Sequence, residues 1–347
     1  MKRLMIFFIL SIICTNLSAC NKKTAIRYEA EFLTLFNTAT KIVAYSDNKE
    51  TFEKNAQFIY DNLKKYHELY DIYNNYEGLN NLKTINDQAG IMPVKVDKEI
   101  IELLNFCKEQ YEHTDGKVNI AFGSVLRIWH EYRTEGIEDI QNAKLPSYEA
   151  LAEATKHTDI NKIVINEEES TVYLSDPKMS LDVGSIAKGF AVQKVIESAI
   201  QSGFTSGLIS VGGNVYAIGN KGEGNKLWNV GIQNPFSEKE DLILEVVYVT
   251  NLAVVTSGDY ERYYTVDGKN YHHIIDTKTL FPSEYFTAVT IICEDSGVAD
   301  ALSTAVFNMP FEEGLQYINA LPNTEAMWLF KDGTTRYSDH FKDYLQK

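Results

Sequence analysis

The chain has 347 residues, 44% hydrophobic and 23% charged, with 20 Gly and 7 Pro. That balance excludes disordered, collagen-like and low-complexity classes and leaves two domains or one large one. The formal net charge is −15, with no Lys/Arg run beyond the extreme N-terminus; nucleic acid, which is held by clustered cations, is excluded as a partner.

In chain order, residues 1–19 read as an export signal: Lys2 and Arg3 precede an apolar run from Leu4 to Ile13. About ten residues at 1.5 Å each are too few to span a bilayer. Leu17-Ser18-Ala19-Cys20 resembles a bacterial lipobox. It implies cleavage before Cys20, a diacylglyceryl group on its thiol and a further acyl chain on its amino group. Two chains anchor a protein stably where one does not, so the mature chain is expected on the outer face of a bacterial cell membrane. Cys14 leaves with the signal, and Cys107 and Cys293, each within an apolar pattern, are expected as buried free thiols.

A polar linker over residues 20–28 precedes a strand expected from Glu31 to Tyr45. The apolar period of Phe58, Ile59, Leu63, Tyr66, Leu69 and Tyr70 predicts a helix over Phe52–Tyr73. Asn74–Asn86 reads as a long loop, Lys98–Thr114 as a second helix, and Pro146–Lys156 as a third, opened by its proline. Lys162–Asn166 and Thr171–Leu174 form a hairpin. Strands are expected at Gly207–Val211, Trp228–Ile232, Leu242–Val249, Val254–Ser257, Arg262–Val266, Tyr271–Ile275 and Ala288–Ile292. Asp267-Gly268 marks a type I′ turn. Helices at Ile186–Gln201 and Val298–Met309 end at Gly203 and Pro310. The class is α+β, with helices over a largely antiparallel sheet.

Neither a P-loop nor an H-E-x-x-H nor a G-x-S-x-G motif is present. Four strings stand out. Ser180-Leu181-Asp182-Val183-Gly184-Ser185-Ile186-Ala187-Lys188-Gly189 runs from a strand through a small-residue turn into a helix start with a lysine. Free N–H groups and Lys188 would suit a phosphate there, although a plain strand–helix turn reads the same way. Ser210-Val211-Gly212-Gly213 allows close backbone approach by a ligand or by another strand. In Tyr271-His272-His273-Ile274-Ile275-Asp276 the two histidines face opposite sides, so one at most can act as a base in a site. In the stretch from Asp295 to Ala305, Ser296 is a candidate N-cap, and Asp300 and Thr304 share one helical face, as donors to a hard cation such as Mg²⁺ would.

Together and in this order the strings resemble the ApbE family of FAD:protein FMN transferases over nearly the whole mature chain. Phe36-Asn37-Thr38 is similar to the family's M-G-T start, Tyr73–Asn86 to its Tyr…S-E-L-S-x-x-N loop, and Gly116–Trp129 to its G-x-F-D-x-T-x-G-x-L…W segment. Asp182–Gly189 matches D-x-G-x-I-A-K-G in full, followed by Ser210–Gly213, Val255–Tyr260, His273–Asp276 and Ala299–Thr304. Asn37 departs from a usual glycine, Asn119 from a frequent aspartate, and Thr277 and Leu280 from the proline and glycine of H-I-I-D-P-x-T-G.

The resemblance implies one flavin transferase domain over residues 29–347, with a T-fold-related architecture. It implies Mg²⁺-dependent cleavage of the FAD pyrophosphate, transfer of FMN to a threonine hydroxyl of a partner protein, and release of AMP. By carry-over, Asp300, Thr304 and the Ser185 carbonyl resemble the Mg²⁺ ligands. Asp182, Lys188, Tyr73, Lys117, Val118, Asn119, Ile274 and Phe36 resemble FAD contacts, His273 the base, and Asp276 its orienting neighbour. Acceptors would be exported or membrane electron-transfer proteins carrying a D-G-x-[ST]-[AG]-[ST]-x-[ST]-like motif. Asp332-Gly333-Thr334-Thr335 begins that motif but Arg336-Tyr337 breaks it, so the chain reads as donor enzyme. FAD hydrolysis to FMN and AMP, or flavin binding without turnover, are the competing readings.

Overall fold

The computed structural model describes residues 25–345 except 34, 223 and 238–241. The signal and Cys20 lie outside the described residues. In chain order come β1 (Ile26–Phe32), β2 (Thr40–Ser46), α1 (Lys49–Tyr70), α2 (Leu82–Asp87), β3 (Val94–Lys95), α3 (Lys98–His113), α4 (Gly123–Glu138) and α5 (Tyr148–Ala154). Then follow β4 (Ile163–Asn166), β5 (Thr171–Leu174), α6 (Ala187–Gln201), β6 (Gly207–Val211), β7 (Asn214–Ile218), β8 (Trp228–Gln233) and β9 (Ile243–Val249). The chain closes with β10 (Leu252–Gly258), β11 (Tyr263–Val266), β12 (Lys269–His272), β13 (Ala288–Cys293), α7 (Ser296–Phe307), α8 (Phe311–Asn319), β14 (Glu325–Leu329) and β15 (Thr335–Tyr337).

One antiparallel sheet, in the order β1-β2-β6-β7-β10-β13-β14-β15, organises the molecule. Its interior strand β13, between β10 and β14, has all six residues buried because both faces are covered. That explains an apolar run without alternation. On one face lies the main core, which includes Ile59 and Leu63 of α1, Leu104 of α3, Val192 and Val195 of α6, and Leu302 and Val306 of α7. On the other face a second core gathers Trp228, Val230 and Ile232 of β8 with Val247, Val249, Val254 and Ile292. A third cluster, around Trp129 of α4, joins Leu151 of α5 to Tyr264, Val266 and Leu280. Two small sheets, β3-β5-β4 and β11-β12, flank these cores. The α+β class with a largely antiparallel sheet is the observed one.

Local chemistry sets several boundaries differently from the expectation. The strand expected from Glu31 to Tyr45 is two, because Phe36 and Asn37 take φ of 52° and 53° and fold β1 back onto β2. β1 also starts inside the expected linker. Asn81 caps α2 through a reciprocal Asn81–Thr84 box, placing a helix at the end of the expected loop. α7 is capped by Asp295, whose carboxylate accepts from Val298 N at 2.9 Å, and not by Ser296. The type I′ turn is present, with Asp267 and Gly268 at φ 50° and 78° between β11 and β12. Helices α4 and α8 and strands β3, β7, β14 and β15 were not anticipated. Cys107 and Cys293 are buried free thiols whose burial raises their pKa values. No described helix is long and apolar enough to cross a membrane.

Candidate active site

A cavity of about 420 Å³ opens where the loop before α6, the face of α7, the glycine turn between β6 and β7, the edge of β8 and the β12–His273 segment meet. Asn86 of α2 fixes the first of these. It accepts from Leu181 N at 2.7 Å and donates to Leu181 O at 3.0 Å, while Asp182 N donates to Ile120 O at 2.8 Å. Asp182 is thereby aimed into the cavity, with its Oδ1 accepting from Gly184 N at 2.9 Å. Burial raises its pKa, opposed by that hydrogen bond and by His130 and Arg133.

Helices α6 and α7 touch at Gly189. A Cβ there would stand 2.2 Å from Ser296 O and 2.5 Å from Asp300 Cβ, so only glycine allows the approach. The result is a bond from Gly189 N to Asp300 Oδ2 at 2.8 Å. The other carboxylate oxygen, Oδ1, faces the Lys188 ammonium at 3.6 Å. Ser303 Oγ donates to Asp300 O at 2.8 Å and therefore accepts from Ser257 Oγ at 2.7 Å, tying this turn of α7 to β10. Thr304, one turn on, and Ser185 line the same cavity.

The two histidines differ as their strand alternation requires. His272 is buried; its Nε2–H donates to Ser283 O at 2.7 Å and its Nδ1 accepts from Ile274 N at 3.2 Å, so both nitrogens are spent. His273 lines the cavity. Its Nδ1–H donates to Arg262 O at 3.3 Å, which leaves the lone pair on Nε2. Burial first, then the guanidinium of Arg262, pushes its pKa down to about 3, so the imidazole is neutral at physiological pH.

Of the residues singled out in the sequence, Tyr73, Lys117, Asn119, Asp182, Ser185, Lys188, His273, Ile274, Asp300 and Thr304 line this one cavity. Three do not. Val118 is buried beside it, its N–H given to Thr114 Oγ1. Phe36 turns its ring to His67, 5.4 Å between centroids, and Thr38 takes its place on the wall. Asp276 does not orient His273: its Oδ1 accepts from Lys278 N at 2.6 Å and Thr279 N at 3.3 Å, closing a turn, and the Arg262 carbonyl does the orienting. Sequence reading missed the cationic wall of Arg133 and Arg262 and the His130 beside it, whose pKa burial and then Arg133 lower so that the ring is neutral. Arg133 Nη2 donates to His130 Nδ1 at 2.8 Å, and Tyr73 lies 5.3 Å from the His130 ring. Neither arginine has a carboxylate within ion-pair distance among the described residues; in so acidic a chain, such unneutralised cations mark a place for an anion.

The donors fit a hard cation. Asp300 Oδ1, the Thr304 hydroxyl and the Ser185 carbonyl are oxygens, and a cationic ammonium already faces Oδ1. No cluster of three or more His, Cys, Asp or Glu residues suited to a metal occurs among the described residues. A set with one carboxylate suits Mg²⁺, which keeps waters and shares phosphate oxygens, better than zinc.

The profile of the ApbE family matches residues 17–328. The FAD:protein FMN transferase of Treponema pallidum is 34% identical over 278 residues, 76% of this chain and 75% of its own. That of Klebsiella pneumoniae is 30% identical over 282 residues, 80% of this chain and 82% of its own. The crystal structure of the ApbE protein of Thermotoga maritima superposes with a TM-score of 0.80 at 29% identity, covering 93% of this chain and all of that one. The apo flavinyl transferase ApbE of Pseudomonas stutzeri shares the fold, with a TM-score of 0.76 at 21% identity, covering 93% of this chain and 98% of that one. With its strings, its sheet and its cavity in that pattern, the chain belongs to the ApbE family and is an enzyme of the transferase class.

Proposed function

We propose that the protein is a Mg²⁺-dependent FAD:protein FMN transferase that attaches FMN to a threonine of an exported or membrane electron-transfer protein and releases AMP. The observation that carries this reading is one cavity holding both a neutral imidazole with a free Nε2 and a carboxylate–hydroxyl–carbonyl oxygen set. A bound Mg²⁺ would supply charge neutralisation on the diphosphate and on the departing AMP. Asp300, Thr304 and Ser185 would hold it. Lys188, Arg133 and Arg262 would draw in the substrate anion and orient it, and Asp182, Lys117 and Ile274 would bound the flavin nucleotide. His273 Nε2 takes the proton of the acceptor hydroxyl as that oxygen bonds to the FMN phosphorus; the bond from that phosphorus to the bridging oxygen breaks, and AMP departs with the electron pair.

The test is incubation with FAD, Mg²⁺ and a domain bearing the D-G-x-[ST]-[AG]-[ST]-x-[ST] pattern, followed by intact mass and in-gel flavin fluorescence. Metal-dependent addition of FMN to threonine, lost in Asp300→Ala, supports the reading. FMN and AMP released without a labelled acceptor would replace it by FAD hydrolysis, and FAD bound unchanged would remove both. Residues 1–19 as a signal and Cys20 as the lipid anchor complete the proposal and place the domain of residues 29–347 outside the cytoplasmic membrane. Mass spectrometry of the N-terminal peptide and a Cys20→Ala variant released from membranes test it.

A further inference from the structure

Strand β8 meets the active-site cavity in an unusual way. Four consecutive residues, Val230, Gly231, Ile232 and Gln233, line it. Side chains of a strand alternate between its faces, so four in a row can line one cavity only if the cavity meets the strand's edge. Burial agrees: Trp228, Val230 and Ile232 point into the second core while Asn229, Gly231 and Gln233 are exposed. Among the described residues β8 pairs with β9 alone. Its other edge therefore offers unpaired backbone N–H and C=O groups along the cavity mouth. Such an edge is ordinarily blunted by charge, proline or a bulge; β8 has no charge and no proline, and the extra residue at the Ile232/Gln233 irregularity, Leu244, belongs to β9.

From this geometry we infer that the outer edge of β8 is the docking strand for the acceptor protein, whose threonine-bearing segment adds to it in extended form. The inference rests on the transferase reading above. Four of its six residues line the cavity, about 14 Å of edge at about 3.4 Å each, a repeating row of N–H and C=O groups that another extended chain matches residue by residue and a flavin dinucleotide does not. The edge runs from the cavity wall toward exposed Phe236, Leu242 and Ile243 at the far end of the β8–β9 hairpin, apolar side chains available to the flanks of a docked segment. Main-chain pairing supplies affinity with little demand on acceptor sequence, and the register along β8 sets which hydroxyl reaches His273 Nε2.

The experiment uses the full chain with FAD, Mg²⁺ and a synthetic peptide of the acceptor pattern, unmodified or N-methylated at one backbone nitrogen at a time. Methylation at alternate positions is expected to cut FMN labelling at least tenfold, with intervening positions near the unmodified rate and FAD affinity unchanged. Hydrogen exchange at residues 229–233 should slow with peptide plus FAD but not with FAD alone. Labelling indifferent to N-methylation overturns the docking strand while leaving the transferase reading intact. Protection by FAD alone reassigns the edge to the flavin and overturns it also. An unmodified peptide that never takes FMN removes the transferase reading and the docking strand together.

Discussion

Gly189→Ala is the sharpest perturbation of the helix contact that sets Asp300. In a free helix the change is favourable by about 0.8–1 kcal/mol. Here the added Cβ would stand 2.2 Å from the Ser296 carbonyl oxygen and 2.5 Å from Asp300 Cβ, one of them backbone and neither able to swing away. Overpacking of this kind costs about 1–3 kcal/mol. Parting α6 from α7 also loosens the bond from Gly189 N to Asp300 Oδ2 at 2.8 Å; a hydrogen bond to a charged group contributes about 1.5–3 kcal/mol. The net destabilisation is about 1.5–5 kcal/mol, or a fall in Tm of roughly 2–7 °C for a domain of this size. Because Asp300 moves with α7, turnover of FAD should fall on the order of a hundredfold, as it does for a misplacement of about 1 Å. Differential scanning fluorimetry and chromatographic detection of FMN and AMP read the two effects. A variant melting at or above the wild-type temperature with full turnover would refute the argument that this contact sets the carboxylate.

Other consequences follow from the same geometry. His273, with its pKa pushed down to about 3 against an ordinary value of 6.5, binds fewer protons folded than unfolded between those limits. Its contribution to stability is therefore full above pH 6.5 and lost as pH falls toward 3; urea melts across that range, compared with His273→Asn, measure it. The pH–rate profile should show no acid limb near 6.5, and Arg262→Gln, by removing the nearest guanidinium, should move that limb upward. Asn86→Ala removes both bonds to the Leu181 peptide, at about 0.5–1.5 kcal/mol each, and should weaken FAD binding in a titration because Asp182 follows. Leu280→Gly relieves roughly 1–2 kcal/mol of left-handed strain at φ 66° but opens a cavity beside Trp129 costing about 2–5 kcal/mol, so its urea midpoint should fall.

Much of the site was legible because its residues sit in short local strings whose chemistry survives without the fold. Asp182, Ser185 and Lys188 lie within seven residues, and Asp300 and Thr304 within one helical turn. What joins them is the contact at Gly189, and a glycine inside a helix says nothing about which helix it meets. Arg133 and Arg262 were missed for the same reason: single cations on an exposed helix face and beside a strand are indistinguishable from solvated ones until the cavity closes around them. Helix α4 was hidden because Gly123 and Gly136 break an otherwise amphipathic pattern. Both glycines are packing contacts, the first against Ser180 and the second against the Tyr264 ring. β7 was hidden behind the Gly212-Gly213 turn, where φ values of 51° and 89° reverse the chain too tightly for a spacer to appear.

The departures at residues 276–281 show how a loop keeps its place with different residues. The family pattern has proline and glycine where this chain has Thr277 and Leu280. Asp276 holds the turn by accepting from the N–H groups of Lys278 and Thr279, and Leu280 N donates back to Asp276 O at 2.8 Å, bonds that need no proline at 277. Without the glycine, the left-handed residue is a leucine at φ 66°, a conformation that persists only when its surroundings demand it. They do: Leu280 is buried in the third cluster, and its carbonyl accepts from Trp129 Nε1 at 2.9 Å. Trp129 precedes His130 and lies one turn before Arg133, so the segment that follows His273 is bound to the helix that carries part of the cationic wall. Strain at Leu280 is thereby offset by a contact that couples the two sides of the cavity. Asp276 serves the site through the path of this loop, and not as the orienting neighbour of the His273 imidazole that the resemblance implied.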